Sequence, residues 1–88
     1  MVKISELPTA DGKMVVKLEG QVVGSCVAEV ETYCHRFLEK EGSLTLDVGE
    51  VLYLDMGGVS LFKQLLDQQV KLINCNPFLT ELLRPAAS

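Results

Sequence analysis

Basic charge is scarce in this sequence and nowhere clustered. Eight Lys and Arg stand against twelve Asp and Glu in 88 residues, for a net charge of −4. Nucleic-acid binding needs a concentrated row of cations to displace counterions from phosphates, so that class of function is excluded. No apolar run approaches the ~20 residues of a membrane-spanning helix. The opening Met1-Val2-Lys3-Ile4-Ser5-Glu6 also lacks the apolar segment of a secretory signal. The expectation is a cytoplasmic protein without direct membrane insertion. Only one histidine and three cysteines are present. No two cysteines take the C-x-x-C spacing of a metal or redox pair, which argues against a metal site. In a reducing compartment Cys26, Cys34 and Cys75 read as small buried hydrophobes. Repeats, linkers and low-complexity segments are missing, as are the P-loop and G-x-G-x-x-G patterns.

What remains is a chain that is 48% hydrophobic, long enough for one core and no more. Residues 1–88 read as a single domain. Val2, Ile4 and Leu7 alternate loosely, and Thr9-Ala10-Asp11-Gly12 carries the Asp-Gly signal of a hairpin. Met14-Val15-Val16-Lys17-Leu18-Glu19 supplies the partner strand, which Gly20 ends. Gln21-Val22-Val23-Gly24 reads as a connector, and Ser25 as the N-cap of a helix. Val23, Val27, Val30, Cys34, Phe37 and Leu38 then recur at steps suited to one buried helical face. Acids lie early and bases late along it, and Gly42 is its natural stop.

Ser43 to Val48 reads as a strand, Gly49-Glu50 as a bend or bulge, and Val51 to Leu54 as its continuation. After Asp55 a second helix puts Val59, Phe62, Leu65, Leu66 and Val70 on one side. Val70 to Cys75 is a short strand, and Asn76-Pro77 opens a brief last helix through Leu83. Residues 84–88 read as a frayed tail. The order β-β-α-β-α-β-α predicts an α/β fold: a mixed, mostly parallel sheet of about four strands with helices packed on it.

The chain is similar to STAS domains, the fold of bacterial anti-sigma-factor antagonists and of transporter-associated modules. The resemblance runs from Val15 to Leu83 and is most specific in Leu46-Asp47-Val48-Gly49-Glu50-Val51-Leu52-Tyr53-Leu54-Asp55-Met56-Gly57-Gly58-Val59. There Asp47, Asp55, Gly58 and Val59 fall on the family pattern. The resemblance implies a non-enzymatic protein-interaction domain that presents Asp55, Met56, Gly57, Gly58 and Ser60, together with Gln21 and Val22 of the preceding loop. Phospho-regulated members carry a Ser or Thr in the turn, where this chain has Met56 and Gly57. The usual phosphorylation site is therefore missing. The implied partner is a kinase-like anti-sigma factor.

The Gly57-Gly58 pair also resembles the STAS subunit of bacterial phospholipid-transport systems, whose partner is an ABC transporter ATPase. A homo-oligomer is compatible with either reading. An alternative of another class is a small anion or nucleotide binder using the bare helix start at Gly57-Gly58. No cofactor is implied. Cys34-His35 invites a thiol–imidazole reading, but adjacent helical residues point about 100° apart, and no catalytic residue is assigned.

Overall fold

The alternation at the start of the chain builds a hairpin in the structure, a computed structural model that describes residues 2–83. Strands β1 (Val2–Pro8) and β2 (Met14–Val22) pair antiparallel, with Val2 opposite Gly20 and Pro8 opposite Met14. Thr9 N–H donates to the Lys13 carbonyl at 2.8 Å, and Gly12 sits at φ 82°. That left-handed conformation suits a residue without Cβ.

Helix α1 (Ser25–Glu41) follows and stops at Gly42, whose φ of 80° lets its N–H turn back to the Leu38 carbonyl at 2.8 Å. Strand β3 (Leu44–Leu54), helix α2 (Met56–Asp67), strand β4 (Val70–Ile73) and helix α3 (Pro77–Leu83) complete the order. The sheet runs β1-β2-β3-β4, with β2–β3 and β3–β4 parallel. Two successive parallel crossovers run in the same direction, and α1 and α2 pack into one core on one face of the sheet, as crossovers of the usual right hand require.

One core accounts for that layering. Val16, Leu18 and Val22 of β2, and Leu44, Leu46, Val48, Val51 and Leu54 of β3, are buried against Val30 and Cys34 of α1 and Leu61, Phe62 and Leu65 of α2. Leu79 of α3 joins the same cluster. The opposite side of the sheet carries Lys3 beside Glu19, Lys17 beside Asp47 and Thr45 beside Lys71, none of them buried. Removing the helical side from water is the main stabilising term, at about 1.5–3 kcal/mol for each fully buried Leu, Val or Phe.

Several local expectations shift. Gly20 does not end β2: the strand passes through it at φ 101°, with register shifts against β3 on either side, and reaches Val22. Gln21 and Val22 are therefore strand residues, not a connector. Ser25 is the first residue of α1 and does not cap it; Gly24 holds the N-cap position without a side-chain bond. No acid lies in the first turn of α1, because Glu29 and Glu31 come a turn later. Leu66 is 42% exposed and does not share the buried face of α2. Strand β4 ends at Ile73, since Asn74 takes φ 60°. Of the cysteines only Cys34 is buried; Cys26 is half-buried and Cys75 exposed. The expected tail at 84–88 lies outside the described residues.

Candidate protein-interaction surface

Parallel pairing brings the ends of β2 and β3 together, with Gln21 beside Tyr53 and Val22 beside Leu54. Each strand leads into a helix within three residues, so the starts of α1 and α2 stand side by side. Their positive dipole ends converge there. The Asp55 carboxylate lies between them. Its Oδ1 accepts the Gly58 N–H at 2.8 Å as the N-cap of α2, and its Oδ2 accepts the Gly24 N–H at 2.8 Å from the cap of α1. These two donors, Gly24 first and Gly58 second, hold the Asp55 carboxyl below the usual carboxylate range.

The two glycines of the turn do different work. Neither has positive φ, so conformational freedom is not the reason for either. A Cβ at Gly58 would stand 2.5 Å from the Val22 carbonyl oxygen and 3.3 Å from the Leu54 side chain. The bare backbone is what lets α2 approach β2. A Cβ at Gly57 would meet only ordinary contacts, the nearest being Asp55 Oδ1 at 3.4 Å and Val27 Cγ2 at 3.6 Å. The fold does not require a glycine at 57.

The residues expected at the surface divide accordingly. Met56 is 88% exposed. Gly57, Ser60 and Gln21 are exposed and Asp55 is half-buried, all at this end of the sheet or in the first turns of α2. Gly58 is buried by its packing role. Val22 is fully buried in the core, so its side chain offers nothing to a partner. This corrects the expectation for that residue: the period-two pattern of β2 carries past Gly20 and turns Val22 inward.

Two features were missed in the sequence. Gly24 is half of the Asp55 clamp, and a pairing across 31 residues leaves no local signal. Leu52 and Tyr53, 69% and 50% exposed, also reach the surface, with Tyr53 stacked on Phe78 at 6.5 Å. The bend at Gly49-Glu50 accounts only for the inward turn of Val51. A second register shift, with Val51 beside Gly20 but Tyr53 beside Gln21, leaves both Leu52 and Tyr53 facing outward, and no turn residue in the sequence marks it.

The chemistry available here is limited. Both oxygens of Asp55 already occupy the donors that a bound anion would use, which weighs against the anion or nucleotide reading. Elsewhere, burial pushes the Cys34 thiol up to about 12, so it stays protonated and is a poor nucleophile. Among the described residues no group of three or more His, Cys, Asp or Glu could hold a metal ion. No helix of the described residues is long and apolar enough to cross a membrane.

The family model of the STAS domain matches residues 5–84. The chain belongs to the STAS domain family. Its fold is similar to the structure of the anti-sigma-factor antagonist SpoIIAA in its unphosphorylated form, with a TM-score of 0.68 and 12% identity over 91% of this chain and 80% of that one. It is also similar to the STAS domain of an anti-sigma-factor antagonist from Rhodobacter sphaeroides, with a TM-score of 0.57 and 18% identity over 83% of this chain and 86% of that one. At such identities the likeness shows the fold alone. No curated protein matches the sequence. Within the STAS frame, the helix start at Met56 is the outward tip of the Asp55 turn, and membership supports a protein-interaction role.

Proposed function

We propose that this STAS domain is a non-enzymatic antagonist that docks a kinase-like anti-sigma factor through the Asp55–Ser60 turn, without control by phosphorylation at the turn. The observation that carries the reading is Met56: a long, flexible apolar side chain, 88% exposed, on a helix start braced by the two bonds of Asp55. An apolar anchor on a rigid base is suited to a pocket in another protein. Gly57 leaves the backbone beside it open, and Ser60 and Gln21 supply a polar rim. With neither Met56 nor Gly57 bearing a hydroxyl, a kinase partner would find no acceptor at these two positions.

The dispensable Gly57 favours a second reading, in which the same turn seats on an ABC transporter ATPase and the bare backbone permits closer approach. Both readings are tested by affinity capture from the source organism with wild type and Met56→Glu, read by mass spectrometry. The substitution is exposed, and an acid at a helix start is favourable, so the fold should persist. Recovery of a kinase-like ATPase by wild type and its loss in the variant is the expected result. Recovery of transporter subunits would establish the second reading. Equal capture by both proteins would remove the turn from the interface, and a melting shift with nucleotide alone would restore the anion-binder reading.

A further inference from the structure

Helix α1 lies over β2 and β3, and α2 over β3 and β4, so β1 extends beyond the helical layer as a shelf. Two adjoining hollows lie along the groove between β1 and the flank of α1, with Tyr33 and Arg36 in the walls of both. The larger-residue end, about 320 Å³, has Tyr33, Phe37 and Met14 in its walls, and the other end has Ile4, Ala28 and Thr32. At 1.5 Å per residue the α1 flank from Ala28 to Glu41 is about 20 Å long. Tyr33 is fixed within it, since its hydroxyl donates to the Glu6 carboxylate and its ring stacks on Phe37 at 6.3 Å.

The flank is self-complementary. Glu29, Thr32, Tyr33 and Arg36 stand at i, i+3, i+4 and i+7, one continuous stripe of a helix. Glu29 and Arg36 are too far apart along the axis to pair with each other, at ~10 Å. Among the described residues neither makes an ion pair within 4.0 Å. A second α1 laid antiparallel about a two-fold axis between Thr32 and Tyr33 brings Glu29 of each copy to Arg36 of the other. The same operation sets Thr32 against Tyr33 and Phe37 against Ala28, large on small. Two-fold contacts of this kind use one patch twice.

We infer that the α1–β1 groove is a homodimer interface in which α1 of a second copy packs antiparallel along Glu29, Thr32, Tyr33 and Arg36. The charge pattern carries this choice of occupant: one end of the stripe is acidic and the other basic, as an antiparallel copy of itself requires. The Met56 turn lies at the start of α2, outside the stripe formed by Glu29, Thr32, Tyr33 and Arg36.

Sedimentation velocity over a concentration series tests the inference with wild type, Glu29→Lys, Arg36→Glu and the double variant. All these positions are exposed, so folding should be unaffected, and circular dichroism checks it. Wild type should dimerise reversibly. Each single reversal sets like charges together twice and should weaken association by about tenfold or more. An equimolar mixture of the two single variants, and the double variant alone, should recover it, because opposite charges then face each other again. A wild type that stays monomeric throughout, a single variant that dimerises as tightly as wild type, or a double variant without recovery would each overturn the interface.

Discussion

Asp55 and Gly24 are 31 residues apart in sequence and joined by a 2.8 Å hydrogen bond, from the Gly24 N–H to the carboxylate Oδ2. Because Oδ1 of the same group caps α2 through Gly58, one side chain fixes the starts of two helices relative to each other. The exposed turn is thereby held by backbone donors on both sides.

Replacement of Asp55 should therefore be graded. Asparagine can still accept one N–H through its carbonyl oxygen but presents an amide donor to the second, whereas alanine keeps neither bond. Urea denaturation should rank wild type above Asp55→Asn, and Asp55→Ala last. The pH dependence has a definite sign. The folded carboxyl is held below its unfolded value of about 3.9, so its contribution is present above that pH and disappears as pH falls through the lower folded value. Wild type should lose its advantage over Asp55→Asn on acidification below about pH 4. An advantage that is constant across that range would show that the carboxylate does not carry it.

The glycine pair should respond in opposite directions to the same change. Gly57→Ala introduces only ordinary contacts and should be neutral or stabilising by up to about 1 kcal/mol. Gly58→Ala forces a Cβ to 2.5 Å from a backbone oxygen that cannot swing away, and should cost about 1–3 kcal/mol. Equilibrium unfolding of the two variants gives the comparison directly. Similar stabilities would mean that α2 can lift from β2 at little cost.

Thiol accessibility should separate the three cysteines. Cys75 is exposed, Cys26 half-buried and Cys34 buried, and burial drives the Cys34 pKa to about 12. Timed alkylation followed by peptide mass spectrometry should label Cys75 first and Cys26 more slowly. Cys34 should react only after denaturant is added. Rapid labelling of Cys34 in the native protein would mean that α1 opens readily from the sheet.

Much of this architecture was legible in the sequence because the signals were local. Asp11-Gly12 marks the hairpin, Gly42 the end of α1, and the restart after Asp55 the second helix. The failures share a physical cause in long-range geometry. Ser25 has the right chemistry for a cap, yet the carboxylate that serves the start of α1 arrives from beyond β3. Gly20 looks like a stop, but β3 shifts register against β2 and the strand continues through it. Val22 then turns into the core. For the site, Asp55, Met56 and Gly57 could be placed at the turn from their spacing. Tyr53 and Leu52 could not, because a bulge resets which face an alternating strand presents.

Gly58 is a position where the protein measures distance with an atom it does not have. The height of the turn above the sheet is limited by the Val22 carbonyl oxygen and the Leu54 side chain, which stand where a Cβ would have to go. Change at the exposed tip, at Met56, alters the surface without altering the scaffold.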